Sequence, residues 1–373
     1  MLQNKIYQSF AIEIIKTFLT ILFALSLIAL TVRAVNFLDL MVENGYPIFT
    51  YFKYSFLNVF GIIPKFIPLS FLLSLTIFIL KHSQENEFIL LWTSGVKKTT
   101  LVNVFFYISL IVLLIYLTFT ILVTPFALNK SRNLLVNENL NSILPTIKTQ
   151  QFSDAFKGLT FIVEKKVDNE IKNIFLHDKN NNLSNLSSNS SEISSTTIIA
   201  ENGVVQKKRM ILLNGQIIST KKNLKNEIIF FDKLNINFDN LSTTTIKKPK
   251  IQELSTFLLF KCFSKNEYLY EFCNKEFKKE ILSNLNRRIG IPFYIPVISF
   301  ICALLLIKSN KFLLNKPNIF LYNFVILLFT EIVVRYTGMY KILSLVFIIL
   351  PFILLILIYL FLSYCFSKEV KKI

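Results

Sequence analysis

The chain has 373 residues, 53% of them hydrophobic, with 38 phenylalanines and a mean hydropathy of +0.53. That composition excludes an ordinary soluble domain and points to a protein that crosses a membrane several times. The formal net charge of +18 would suggest nucleic acid in a soluble domain, but these lysines are spread among apolar stretches. They read as loop markers on one side of a membrane and as contacts with anionic lipid, with no nucleic-acid partner.

A helix needs about 20 apolar residues to cross the hydrocarbon core, and six stretches approach that length. The first runs from Phe10 to Val32, with Glu13 and Lys16 near its start. The second runs from Phe56 to Leu80 and carries Pro64, Lys65 and Pro68, which places Lys65 inside the helix. HSQENEFILLWTSGVKK (82–98) follows, too short for a domain and too patterned for a plain loop. A helix over 83–96 puts Glu85 and Glu87 in its first turn, where the helix dipole favours acids. It also aligns Phe88, Leu91 and Trp92 as one apolar face and sets Gly95 at the C-cap. From its residues alone this piece is either an interfacial helix with Trp92 in the headgroups or a helix laid in a partner's groove. The third span, Leu101–Val123, carries no charge.

Residues 125–250 change character. TFIVEKK, EIKNIFLHD, TTIIAENGVVQ, RMILLNGQIIST and EIIFFDKLNINF are β-branched and aromatic runs of strand length. The Asn-Gly pairs at 202–203 and 214–215 predict hairpin turns, and DKLNINFD alternates as a half-buried strand should. The segment reads as an all-β domain, a small sandwich or jelly roll, with a polar low-complexity loop between its second and third strands. Residues 251–286 return to a helical pattern and connect to the fourth span, Ile289–Ile307, with Pro292 and Pro296 in its first turns. The fifth, Ile319–Val334, contains Glu331, with Arg335 four residues on as its expected partner. The sixth is Ile342–Phe366.

The expected architecture is a polytopic α-helical membrane protein of six transmembrane helices. Residues 1–124 hold three, 125–250 an extracytoplasmic jelly-roll-like all-β domain, 251–286 a helical connector and 287–373 the last three. Six spans put both termini on one side. That side gathers Lys5, Lys16, Lys81, Lys97, Lys98, Lys308, Lys311, Lys316, Lys368, Lys371 and Lys372, against Arg33, Lys53, Arg335 and Lys341 opposite. The termini and the 82–98 stretch are therefore expected in the cytoplasm. Cys262 and Cys273 could pair, but they sit in a segment read as mostly helical, and free thiols are the favoured reading for them as for Cys302 and Cys365. His82 and His177 are far apart without ligand-like neighbours, so no metal is expected. The eight glycines are never spaced as a phosphate-binding G-x-x-x-x-G-K-[ST] loop, and no nucleophile motif or carboxylate pair stands out. The chain reads as a transport subunit with no catalytic residue and no cofactor of its own.

Several segments resemble the LptF/LptG (YjgP/YjgQ) family of lipopolysaccharide exporters. VRAVNFLDLMVENG (32–45) resembles the end of the family's first helix, and IPKFIPLSFLLSL (63–75) its proline-bearing second. ENEFILLWTSGVKK (85–98) resembles its cytoplasmic segment, with Ser94 where alanine is common. RRIGIPFYIPVISF (287–300) resembles the entrance to its fourth helix, and AENG (200–203) and LLNGQI (212–217) its periplasmic strands. Arg33 and the segment after it favour the LptF branch. The resemblance implies a bacterial inner-membrane permease that passes lipopolysaccharide to a periplasmic β bridge. It implies three partners: an LptB-like ABC ATPase that binds the ATP, an LptG-like second six-span permease, and an LptC-like single-span periplasmic β protein. It makes Glu85, Glu87, Phe88, Leu91, Trp92 and Gly95 an ATPase-coupling helix. It makes Arg33, and more weakly Lys53 and Arg335, contacts for the anionic groups of the cargo. A different class remains open, a membrane-anchored sensor or adhesion protein whose β domain binds an outside ligand. A secondary transporter would want intramembrane acids or broken helices in both halves, and Glu331 alone supports it thinly.

Overall fold

The computed structural model describes residues 2–38, 47–141, 147, 149–156, 158–179, 193–206, 209–221, 226–237, 249–263, 275–307 and 315–370. The 39–45 segment, the polar loop over 180–192 and Cys273 lie outside the described residues. The chain divides into two compact units. One joins Met1–Thr31, Asn58–Leu128 and Lys250–Ile373, and the other joins Val32–Leu57 and Asn129–Pro249.

In chain order the helices are α1 (Leu2–Asn36), α2 (Ile48–Val59), α3 (Ile63–Gln84), α4 (Glu87–Thr93), α5 (Lys98–Thr118) and α6 (Thr124–Asn141). After the sheet come α7 (Thr256–Phe263), α8 (Lys275–Leu285), α9 (Tyr294–Ala303), α10 (Lys316–Tyr336) and α11 (Lys341–Val370). Among the described residues six helices are long and apolar enough to span a membrane, three before the sheet and three after it. The second span starts later than the sequence predicts. The chain turns at Phe60–Ile62, and Pro64 sits in the first turn of α3, where a missing N–H costs nothing. Lys65 therefore belongs to the helix entrance and is exposed.

The helical unit is built around α9. Every one of its ten residues is buried, and the fourth span is the most enclosed of the six. Phe71, Phe78 and Phe105 pack with Tyr294, Phe300 and Phe347 in one continuous core. The Tyr294 hydroxyl donates to the Phe347 carbonyl at 2.9 Å, so its polar tip is satisfied within apolar surroundings. The first and last spans are the least enclosed and carry exposed Leu19, Phe23, Ile28, Ile353, Ile356 and Leu360. That is the surface a lipid or a neighbouring apolar protein covers.

Two π-helical turns, Phe119–Val123 and Asn286–Gly290, face one another. Each adjoins a proline, Pro125 and Pro292, which cannot donate to the preceding turn. The carbonyls of the widened turn at 286–290 find hydroxyls instead. Tyr116 donates to the Arg287 carbonyl at 3.3 Å and Thr120 to that of Arg288 at 3.2 Å.

The other unit holds one antiparallel sheet in the order β1 to β6: Ser153–Phe156, Leu159–Val167, Glu170–Asp178, Ile193–Gln206, Arg209–Lys221 and Asn226–Asn237. Each strand pairs with its sequence neighbour, and no jelly-roll crossover occurs among the described strands. The five runs identified in the sequence are β2 to β6. The Asn-Gly pairs are not turns. Both lie inside long strands, and Gln206 pairs with Arg209 across the β4–β5 join.

The ladders lapse together along one line. Glu164, Asn173, Glu201, Asn214 and Asp232 face each other across β2 to β6, and the backbone ladder skips each step in that row, with Asn173 donating its side-chain amide to Glu164 across the first. Asn173 and Asn214 have positive φ, 52° each. The inward-facing parity of the strands changes there. In β5, Met210 and Leu212 are buried before the line and Ile217 and Ser219 after it, and in β3 burial passes from Ile171 to Ile174 and Leu176. Residues from both sides of the line belong to one hydrophobic cluster. The sheet is thus creased along a polar row and closes on its own core. Gly215 sits at the fold, where a Cβ would lie 2.4 Å from the Ile199 carbonyl oxygen.

Candidate functional site

The α4 segment is fastened to the helical unit at both ends. At its start, Glu87 Oε2 lies 2.5 Å from Nδ1 of His82 on α3. The other ring nitrogen of His82 lies 3.1 Å from Oε2 of Glu13 on α1, whose second oxygen accepts from Lys81 at 2.9 Å. Asn86 precedes the helix with φ 61°, a conformation asparagine tolerates. At its end, Val96 N–H donates to Leu91 and Gly95 N–H to Trp92, both at 3.1 Å, with Gly95 at φ +90°. This is a Schellman termination, and it fulfils the cap expected of Gly95.

Two residues later Lys98 gathers the far side. Its ammonium lies 4.1 Å from the Trp92 ring centroid, 2.5 Å from Glu369 Oε2 on α11 and 3.3 Å from the Leu306 carbonyl after α9. Trp92 in turn stacks on Phe88 at 6.1 Å. Through His82 and Lys98, which flank it, the segment between the second and third spans is thus tied to α1, α11 and the turn after α9 by specific polar groups.

The geometry changes three sequence expectations. Phe88, Leu91 and Trp92 do form one apolar face, but it is turned inward: Phe88 is buried and the other two pack against the protein's own core. The outward stripe is Asn86, Ile89, Leu90 and Thr93, with Ile89 and Leu90 52% and 68% exposed. Glu85 closes α3, its N–H on the Lys81 carbonyl, and only Glu87 belongs to the first turn of α4. His82 does have ligand-like neighbours, since one of its nitrogens and a carboxylate oxygen each of Glu85 and Glu87 lie within 4.8 Å of one another. Both nitrogens already face carboxylates, so the group reads as an ion-paired bridge. Sequence reasoning missed Glu13, His82, Lys98 and Glu369, because their partners are 69 and 271 residues away.

At the opposite end of α3, about 30 Å along the helix, the facing π turns border a cavity of about 60 Å³. Lys65, Arg287, Arg288 and Glu331 line it with the hydroxyls of Tyr116, Thr120 and Thr124. Arg288 reaches the carbonyls of Leu254, Ile251 and Gln252 and the Thr256 hydroxyl, fixing the connector to the start of the fourth span. Glu331 pairs with Arg287 at 3.0 Å, which corrects the expected pairing with Arg335. Arg335 is exposed at the end of α10. Arg33 is exposed near the end of α1, where Tyr51 of α2 donates to the Ala34 carbonyl at 2.9 Å. Lys53 lies exposed on α2, 5.7 Å from the Phe49 ring centroid. Arg33 and Lys53 belong to the unit with the sheet, and Arg335 to the helical unit.

Cys262 is disulfide-bonded, which overturns the free thiol favoured there, while Cys302 and Cys365 remain thiols.

No curated protein matches the chain. The sequence profile described as "Lipopolysaccharide export system permease LptF/LptG" matches residues 10–365. Six candidate spans, an antiparallel sheet between the third and fourth, and that match over nearly the whole length agree. The chain belongs to the LptF/LptG family of multi-pass inner-membrane permeases for lipopolysaccharide export.

Proposed function

We propose that this chain is one transmembrane subunit of an ATP-driven exporter, and that α4 is where a separate ABC ATPase pushes. The observation that carries this is the two-sided character of α4. Its inner face is held by His82 of α3 through Glu87 and by Lys98 of α5 through Trp92, while Ile89 and Leu90 stand exposed between Asn86 and Thr93. An apolar stripe of that size suits a groove on a partner subunit. ATP is bound by that partner. The exposed apolar faces of the first and last spans suit lipid and a second six-span permease of the LptG kind. The long edge strand β6 suits pairing with a single-span LptC-like protein. The lysine distribution puts both termini and α4 in the cytoplasm and the sheet in the periplasm. The disulfide at Cys262 supports that side for the connector, since such bonds persist in oxidising compartments.

On the cargo side, Arg33, Lys53 and Arg335 are the proposed contacts for phosphates and acidic sugars. The cavity lined by Lys65 and Arg287 offers cations at the same end of the helical unit as Arg335. The LptF branch is the reading that Arg33 and its neighbours favour.

The test is co-purification. The C-terminally tagged chain, extracted in mild detergent, should carry an ABC ATPase and a second six-span protein. Leu90→Asp should shed the ATPase and keep the second permease. A chain that emerges alone would return attention to a membrane-anchored sensor with a ligand-binding β domain.

A further inference from the structure

The inference concerns His82 and rests on the coupling role proposed for α4. The imidazole is placed between carboxylates from two elements, Glu87 of α4 at 2.5 Å from Nδ1 and Glu13 of α1 at 3.1 Å from Nε2. Its side chain is 5% exposed, while Glu13 and Glu87 are 34% and 44% exposed. Phe10 of α1, Phe78 of α3 and Phe88 of α4 surround the ring at centroid distances of 5.3, 4.3 and 5.9 Å. The other charges facing the group are Lys81, on Glu13, and Glu85, beside the His82–Glu87 contact.

An ionised carboxylate only accepts hydrogen bonds, so holding both requires a proton on both ring nitrogens. A neutral imidazole has one N–H and would turn a lone pair toward the second carboxylate. We propose that His82 is a positioning residue for energy coupling. Its ring, with a carboxylate of α4 at one nitrogen and a carboxylate of α1 at the other, pins α4 to α1, so that a push on α4 moves the first span. Docking of the ATPase on the outward stripe does not involve His82, because it lies on the inner side of α4.

The experiment uses the complete exporter, this chain with its ATPase and second permease, in liposomes containing lipopolysaccharide. The readout is lipopolysaccharide released per ATP hydrolysed. His82→Gln and Glu13→Ala should each retain the ATPase and its hydrolysis but lower that ratio several-fold, and Glu13→Ala should lower it no further in the His82→Gln background. A His82→Gln exporter with the wild-type ratio would overturn the proposal. If His82→Gln does not assemble, a wild-type ratio in Glu13→Ala overturns it alone. Failure of the coupling reading itself looks different: Leu90→Asp would then keep the ATPase and transport normally.

Discussion

Single side chains decide how α4 is held, and two glycines show how different the constraints are. Gly95 has no atom within 4 Å of a hypothetical Cβ, so only its φ of +90° excludes a side chain. Gly95→Ala should therefore weaken the cap by about 1–2 kcal/mol, and Gly95→Asn should recover most of it, read as the thermal midpoint of the purified chain and as ATPase retention. Gly338 is limited by space, since a Cβ there would lie 2.1 Å from the Lys279 carbonyl oxygen. Gly338→Ala should force α8 away from the end of α10 and lower the midpoint more than Gly95→Ala does. Lys98 is the other sensitive position, because its pair with Glu369 is only 19% and 24% exposed. Lys98→Met should cost about 1–2 kcal/mol by removing the bonds to Glu369 and the Leu306 carbonyl. Adding Glu369→Gln should return part of that loss, and the double-mutant cycle should show the two residues coupled. Gly95 was legible in the sequence because a helix cap is a local event. Lys98 and His82 were not, because nothing local says which distant residue a charge will meet.

At the level of elements, hydrophobic length identified all six spans, since it needs no tertiary information. Their boundaries needed more. The α2–α3 break at Phe60–Ile62 is set by a proline at a helix start, which in sequence looks the same as a proline within a helix. The Asn-Gly pairs misled for a related reason. The left-handed geometry that makes Asn-Gly a hairpin signal also serves Asn214, inside a strand at the crease. Both faces of the fold are apolar inside, so strict alternation holds only on either side of Asn214 and fails across it. Amides of Glu164, Asn173, Glu201, Asn214 and Asp232 should exchange with deuterium faster than their strand neighbours, as one stripe across five strands. Uniform protection along β5 would argue against the crease. Gly215→Val should unfold the sheet unit, because the Ile199 backbone has nowhere to go.

For the whole molecule, the helical unit places an ion-paired attachment at one end of α3 and a cation-lined cavity at the other. Composition made the membrane class readable, and family resemblance added the transport role. The direction of α4 was not readable, because an apolar face of three residues fits a partner's groove as well as the chain's own core. Packing of Phe88 against Phe78 and His82 settles it inward. The topology proposed above makes its own prediction. A cysteine replacing Thr93 in a variant lacking the native cysteines should react with a membrane-impermeant maleimide only in inside-out vesicles. A cysteine at exposed Phe230 should react only from the periplasmic face. Reaction of both from one side would refute the proposed placement.

Trp92 is the only tryptophan in the chain, and it sits between the Lys98 ammonium and the Phe88 ring. The protein therefore contains a single indole, which can be excited apart from its 14 tyrosines, and it lies in the segment proposed to receive the mechanical input. With tryptophan-free partners, every change in its emission through an ATP cycle would be a direct optical record of that segment's movement, with no label attached.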